Sequence, residues 1–294
     1  MTPILKEISQ EQTVLIAGPT ASGKSALALE LALLQGRPVV NADALQVFAD
    51  WRVLTARPDE NETLIAPHHL YGHIPGDQSY SAGQWLREVR PFLSGQAAPI
   101  IVGGTGLNFS VLTEGLADIP PTPTEVRAIA DARLAADGYE SLLSELDPAT
   151  IARIDTLNPA RIQRAWEVQY TTGRGLAAWQ DETPNPDLPL ARAFPILIDA
   201  ERDWLNDRIE RRFDSMLANG ALDEARRNEP GWSPSMPSAK AIGAAELISH
   251  VRGELSLADA RDAACIATRQ YAKRQRTWFR SKMKDWRVLS FPSS

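Results

Sequence analysis

One stretch, Thr13-Val-Leu-Ile-Ala-Gly-Pro-Thr-Ala-Ser-Gly-Lys-Ser-Ala26, limits what this chain can fold into more than any other. The apolar run Val14 to Ile16 predicts a strand that feeds Gly18. Four residues further on comes Gly23-Lys24-Ser25, and Leu27, Leu29 and Leu31 then mark a helix. This is the G-x-x-x-x-G-K-[ST] pattern in its strand, turn and helix setting. Glycines let backbone N–H groups converge on phosphate oxygens, and the helix points its positive dipole end at them. Lys24 adds a mobile cation and the Ser25 hydroxyl can hold Mg²⁺. Gly18, Pro19, Thr20, Ala21, Ser22, Gly23, Lys24 and Ser25 are therefore candidate contacts to a di- or triphosphate. Such a loop serves kinases, NTPases, transferases and non-catalytic switches alike, so the reaction must be read from the rest of the chain.

At 294 residues the chain is long enough for a sizeable core in one or two domains. Its net charge of -6 excludes a uniformly basic surface but leaves room for a local basic groove. A single cysteine, Cys265, excludes an intramolecular disulfide framework and a cysteine zinc site, and suits a small apolar position on a helix. Met1 to Gln12, which includes Lys6, carries no signal-peptide apolar run, and no segment reaches the length of a membrane span. A cytoplasmic enzyme without membrane partners is expected.

After the first helix, Val39-Val40 predicts a strand delivering Asn41-Ala42-Asp43 to the sheet edge that carries the phosphate loop. Asp43 there can coordinate Mg²⁺, bind a ribose, accept a proton, or cap a helix from Ala44 to Phe48. Trp51 to Gly76 reads as irregular, with His68 and His69 as loop or surface histidines. Tyr80-Ser81-Ala82 opens a helix carrying Trp85, Leu86 and Val89, and Ile100 to Val102 forms a strand. That strand ends in Gly103-Gly104-Thr105-Gly106, where a common P-loop NTPase carries an acid, which counts against ATP hydrolysis. The glycines there admit a close-approaching ligand or make a structural turn, and Thr105 supplies a hydroxyl.

Ile119-Pro120-Pro121-Thr122-Pro123 is a stiff link into a helical block that Pro184 to Pro189 closes. Three segments follow: 1–118 and 193–294 as a phosphate-loop core in two parts, with 119–192 as a helical insertion. In the insertion Ile162, Trp166 and Tyr170 are expected to face inward, leaving Arg161 and Arg164 on other faces. Phe194 to Ile198 predicts a return strand ending in Asp199. A helix from Trp204 places Arg208 and Arg212 on one face, as a phosphate clamp or as solvated cations. The last helix runs from Leu257 to Met283 and buries Ala264, Ile266, Ala267, Tyr271, Trp278 and Phe279. Between them stand Arg269, Lys273, Arg274, Arg276, Arg280 and Lys282, a nucleic-acid footprint or a solvated basic face.

Together these stretches resemble the tRNA dimethylallyltransferase family, also called tRNA isopentenyltransferases, in its bacterial form. The likeness spans Val14 to Trp278 and rests on the phosphate loop, Asp43 to Phe48, Thr55-Ala56-Arg57-Pro58, Pro67-His68-His69-Leu70 and Tyr80-Ser81. It continues through Val102 to Leu107, Arg208-Ile209, Arg212, Ala267 to Gln275 and Thr277-Trp278-Phe279. The resemblance implies an α/β fold, a P-loop NTPase-like parallel sheet core with an inserted all-helical domain that grips the anticodon stem. It implies transfer of a dimethylallyl group from dimethylallyl diphosphate to N6 of the adenosine 3′-adjacent to the anticodon, with Mg²⁺, by an enzyme expected to be monomeric.

By that resemblance Asp43 is the general base, supported by Thr105 and Arg212, and the loop from Thr20 to Ser25 cradles the diphosphate. Contacts to the tRNA anticodon stem-loop fall on Asp43, Ala44, Leu45, Gln46, Thr105, Arg127 and Lys240. Others fall on Ala160, Arg161, Ile162, Gln163 and Arg164, and on Arg269, Lys273, Arg274 and Arg276. Ala44, Leu54 and Asn108 depart from the family's usual serine, glycine and aromatic residue. The chemistry is consistent with a P-loop lacking a hydrolytic acid, because here it would grip a leaving group. The rival readings are a small-molecule or nucleoside kinase and a nucleotide-switched RNA-binding module.

Overall fold

The computed structural model describes Ile4 and residues 7–291, and Lys6 lies outside them. Alternation along the strands decides the layering of the core. In β1 (Val14–Ala17), Leu15 and Ala17 enter one buried cluster while Val14 and Ile16 enter another, so both faces of the sheet are covered. The chain continues through α1 (Lys24–Gln35), β2 (Val39–Asn41), α2 (Glu60–Ile65), β3 (His68–His69), α3 (Ala82–Leu93), β4 (Ile100–Gly103) and α4 (Gly106–Glu114). Five helices come next: α5 (Thr124–Asp137), α6 (Tyr139–Leu143), α7 (Pro148–Ile151), α8 (Pro159–Thr172) and α9 (Leu176–Asp181). It then returns as β5 (Phe194–Ala200), α10 (Arg202–Ala218), α11 (Ala221–Asn228), α12 (Ala244–Val251), α13 (Leu257–Lys282) and β6 (Arg287–Phe291).

The six strands lie in the order β3-β2-β4-β1-β5-β6, and every adjacent pair is parallel. Parallel strands need long crossovers, which here are the helices that cover the two faces. Leu27, Ala28 and Leu31 of α1 pack on one face; Trp85 of α3, Phe109 of α4 and Phe279 of α13 pack on the other. A parallel sheet covered on both sides, with a glycine-rich loop after its central strand, is a P-loop NTPase-like core. Its topology brings the carboxyl ends of β1, β2 and β4 side by side.

The described residues divide into two compact units, one up to Thr113 and from Asp187 onward, the other Glu114–Pro186. These limits fall a few residues before those expected from the proline-rich stretches. Leu188 and Ala193 belong to the buried cluster of the sheet, and the Leu188 N–H donates to the Leu112 carbonyl at 3.1 Å. The helical unit has its own core of Ala130, Leu142, Leu146, Ile162, Ala165 and Trp166. Asn158 caps α8 by accepting from the Arg161 N–H, Pro159 takes the first turn, and Gly173 ends the helix at a φ of 67°.

Several local expectations change. No helix follows Asp43; the chain turns there instead. The stretch expected to be irregular contains α2, whose Asp59 and Glu62 side chains form a reciprocal cap, and the two histidines form the edge strand β3. Tyr170 is 57% exposed and stacks on Trp166, with ring centroids 4.6 Å apart. At about 100° per residue, each four-residue step drifts about 40°, so the eighth residue leaves the core face. Ile266 on α13 is likewise 52% exposed. The strand β6, on the sheet edge beyond β5, has no counterpart in the sequence reading.

Candidate active site

The phosphate loop starts from a helix end left open. Gly23 adopts a φ of 94° at the start of α1, no side chain caps that end, and its first turn carries no acid. The N–H groups there keep the positive dipole end available to an anion. Ala21 also sits at a positive φ of 62°, and the Arg208 Nε donates to its carbonyl at 2.8 Å. Arg208 therefore braces the loop, with its guanidinium over the Trp204 ring, and is not simply solvated. The Thr20 N–H is spent on the Gln275 Oε1 at 2.9 Å, so the cradle rests on the amides after it.

Asp43 follows directly from the end of β2. The Asn41 Oδ1 accepts from the Asp43 N–H at 2.8 Å, and the Asn41 Nδ2 donates to the Asp43 and Leu70 carbonyls, each at 2.9 Å. The Trp85 indole N–H holds the Asn41 carbonyl in turn. Asp43 is itself buried, and its Oδ1 accepts from the Leu45 N–H at 3.0 Å. The Thr105 Oγ1 accepts from the Ala44 N–H at 2.9 Å, linking the end of β4 to the turn after Asp43.

The glycines after β4 make room for the chain's own groups. A Cβ on Gly103 would stand 2.2 Å from the Ala42 carbonyl carbon, and one on Gly104 would stand 2.3 Å from the Gln275 Nε2 and 3.0 Å from the Asp43 Oδ2. The Gln275 Nε2 donates to the Gly104 carbonyl at 2.9 Å, so one buried amide on α13 ties the phosphate loop to the β4 turn.

Lys24, Asp43 and Arg212 line one pocket together with Thr20, Leu54 and Tyr271. Burial lowers the Lys24 pKa to about 8, against the Asp43 carboxylate that raises it and with the Arg212 guanidinium that lowers it further. Burial also lowers the pKa of Arg212, with Asp43 opposing and Arg208 reinforcing. Tyr271 is pushed well up, first by burial and then by Asp43, so it stays a neutral phenol. Lys24 and Arg212 also line a neighbouring basic groove with Ser25, Arg52, Arg57 and Arg208. Two cations at the junction of a phosphate loop and an acid-containing pocket can hold a polyanion while the acid handles a proton.

The Ser25 hydroxyl is exposed and shares that groove with the Asp59 and Glu62 carboxylates. A hydroxyl and carboxylate oxygens suit Mg²⁺, which keeps several waters and commonly takes substrate phosphates as ligands. Among the described residues no group of three or more His, Cys, Asp and Glu side chains is placed to hold a metal ion.

The expected RNA contacts divide sharply. Ala44, Ala160, Arg161, Lys240, Lys273 and Arg274 are exposed, and Leu45 is half-buried. Ile162 lies in the core of the helical unit, where its side chain has no outward contact to make. The Gln46 amide donates to the Thr55 and Ala56 carbonyls at 2.9 and 3.2 Å, holding a loop. In the helical unit Arg127 pairs with the buried Glu167 at 2.9 Å, Gln163 donates to Glu167 and Asp131, and Arg164 donates to Thr122. Arg269 pairs with Glu210, and Arg276 faces Asp199 at 3.8 Å. The sequence marks neither Asn41 nor Gln275 as a site residue and expects Tyr271 only as a buried position of the last helix; Tyr271 and Gln275 both fall inside the stretch that carries the resemblance.

Two family models match the chain, IPP transferase over residues 46–282 and Isopentenyl transferase over residues 11–68. A tRNA dimethylallyltransferase of Roseobacter denitrificans is 61% identical over 276 residues, covering 94% of this chain and 98% of that protein. One from Cereibacter sphaeroides is 58% identical over 288 residues, covering 98% of this chain and 92% of that protein. The crystal structure of a tRNA isopentenylpyrophosphate transferase from Bacillus halodurans superposes with a TM-score of 0.66 at 31% identity, covering 96% of this chain and 90% of that one. A eukaryotic dimethylallyltransferase acting on tRNA shares the fold, with a TM-score of 0.77 at 24% identity over 95% of this chain and 73% of that one.

Proposed function

The chain belongs to the IPP transferase family, and from that membership we propose that it moves a dimethylallyl group from dimethylallyl diphosphate to N6 of the adenosine 3′-adjacent to the anticodon in tRNA. The observation that carries this reading is a single pocket holding a buried carboxylate, Asp43, beside the phosphate-loop cation Lys24 and the partly buried Arg212. A kinase would need a comparable phosphate grip. The family and its relatives support the tRNA acceptor.

In the reaction, the bond between the donor's first carbon and its bridging oxygen breaks, and the electron pair leaves with diphosphate. The N6 lone pair forms the new C–N bond, and the N6 proton passes to an Asp43 carboxylate oxygen. Adenine N6 is a weak nucleophile because its lone pair is delocalised into the ring, so removing that proton as the bond forms lowers the barrier. Lys24, Arg212 and the open end of α1 stabilise the charge that grows on the departing diphosphate. Mg²⁺ held by Ser25 would supply further positive charge to that leaving group. Thr105 keeps the turn after Asp43 in place through the Ala44 N–H.

The target base has to leave the anticodon-loop stack before N6 can reach Asp43, at a cost of roughly a few kcal/mol. Lys240, Lys273 and Arg274 on the core are exposed cations suited to the RNA backbone, and Arg161 is a corresponding group on the helical unit. The enzyme acts as a monomer on cytoplasmic tRNA.

The test is incubation of the enzyme with unmodified tRNA, dimethylallyl diphosphate and Mg²⁺, followed by nucleoside mass analysis. An adenosine gaining one isoprene unit is the expected product; ADP formation from ATP with no change in the RNA would overturn the reading. Asp43→Asn should lower turnover by about 10²- to 10⁴-fold while tRNA binding, measured by filter retention, persists. Full turnover in that variant would remove Asp43 as the base.

A further inference from the structure

The pocket beside Asp43 has a lining of mixed chemistry. Thr20, Lys24, Asp43 and Arg212 supply polar groups, and Leu54, Ile209, Phe213, Met216 and Ile242 supply an apolar surface. Met216, like Lys24 and Arg212, also lines the basic groove, so this apolar wall and the two cations meet at the junction of pocket and groove. On the reading of donor and acceptor given above, that wall receives the donor's hydrocarbon.

The wall is stiff at Leu54 and Phe213. These side chains are 5% and 4% exposed, and both press on Gly243 from one side. A Cβ built on Gly243 would stand 2.9 Å from the Phe213 Cε2 and 3.0 Å from the Leu54 Cδ1, so no slack is left behind them. The backbone under Leu54 is fixed as well. The buried Glu224 carboxylate accepts from the Arg52 and Val53 N–H groups through Oε1, at 2.6 and 3.0 Å, and from the Leu54 N–H through Oε2, at 2.9 Å. A charged acceptor holding three successive amides makes a rigid loop. Leu54 can neither swing out with its backbone nor sink past Gly243.

We propose that Leu54 and Phe213 set the length of the prenyl group, admitting a five-carbon donor and excluding the ten-carbon geranyl chain. With its diphosphate on Lys24 and Arg212, a geranyl donor has to place its second isoprene unit where these side chains already stand. The same transfer, with the same bonds broken and formed, becomes available to the longer donor only when the wall is cut back.

The experiment is a competition between dimethylallyl and geranyl diphosphates at equal concentration on unmodified tRNA, with the product nucleosides separated by mass. The wild-type enzyme should form the five-carbon product almost alone. Leu54→Ala and Phe213→Ala should each raise the geranyl to dimethylallyl ratio of kcat/KM at least about tenfold, the scale on which apolar pockets discriminate by size. Phe213→Leu, which trims the ring with less loss of packing, should move the ratio in the same direction. Leu247→Ala, in the same buried cluster but absent from the pocket lining, should leave the ratio within about twofold of wild type. Equal use of both donors by the wild type overturns the inference while leaving the transferase reading intact. So does a ratio unmoved in the Leu54 and Phe213 variants, or moved as far in Leu247→Ala. Failure of the wild type to prenylate tRNA with dimethylallyl diphosphate removes both.

Discussion

Lys24 sits at the meeting point of the phosphate loop and the pocket, and its charge is set by competing neighbours. Burial lowers its pKa to about 8, and the facing groups are Asp43, which opposes the shift, and Arg212, which adds to it. The protonated amine is the form that attracts diphosphate, so the free enzyme loses a binding cation as pH rises through about 8. kcat/KM for the donor should therefore fall above pH 8, while kcat at saturating donor should hold to higher pH because bound diphosphate favours the ammonium. Steady-state profiles from pH 6.5 to 9.5 or thereabouts check this. Lys24→Ala should show a lower kcat/KM without the alkaline fall, and a profile matching wild type would show that another group titrates. Lys24 and Asp43 were legible from sequence because each follows a strand end at fixed spacing. Asn41, which holds Asp43 through two hydrogen bonds and Leu70 through a third, is not marked by the sequence because its work is done by a side chain folding back on its own turn.

Among the elements, α13 shows most clearly what periodicity reveals and what it hides. Its extent and basic character were readable, but the partners of its polar side chains lie far away along the chain. Gln275 reaches Thr20 across 255 positions, and nothing local in the sequence marks that contact. The sequence presents the cations as one row, an RNA footprint or a solvated face, yet Arg269 pairs with Glu210 on α10 and Arg276 faces Asp199, while Lys273, Arg274, Arg280 and Lys282 are exposed. Edge element β6 escaped notice because exposed positions interrupt its apolar pattern. In contrast, α2 announced itself through Asp59 and Glu62, a capping pattern whose strength was missed next to the histidines. Gln275→Leu should strand the Thr20 N–H and the Gly104 carbonyl, destabilising the fold by about 1–3 kcal/mol for each group left unpaired. Urea denaturation reads that loss. Donor kcat/KM should also fall, because the phosphate loop and the turn beside Asp43 lose their shared tie. Gln275→Glu keeps an acceptor for Thr20 and should recover part of the stability; equal loss in both variants would argue that the Thr20 bond contributes nothing.

At the scale of the molecule, an acidic chain has to bind a polyanion, and the net charge of -6 makes the placement of its exposed cations decisive. No described helix is long and apolar enough to cross a membrane. The basic groups differ in whether an internal carboxylate already pairs with them, and an exposed cation such as Arg127 can be paired. Arg127 spends its charge on Glu167 and Arg269 on Glu210, whereas Lys240, Lys273 and Arg274 are exposed. Only an unpaired cation can displace counterions from RNA without giving up an internal partner, so the two classes should differ in their effect on salt dependence. Each lost phosphate contact lowers the slope of log K against log salt by about 0.7 for single strands and about 0.9 for duplex. Removing Lys273 and Arg274 together should thus flatten the slope by about 1.4 to 1.8. Arg269→Ala should shift it by less than about half of one contact, since that charge is already paired. Fluorescence anisotropy of a labelled anticodon stem-loop, titrated from low to moderate salt, gives both slopes. A larger change for Arg269→Ala than for the Lys273 and Arg274 pair would mean that RNA breaks the Glu210 ion pair on binding, and would move the RNA-facing surface to the other side of α13.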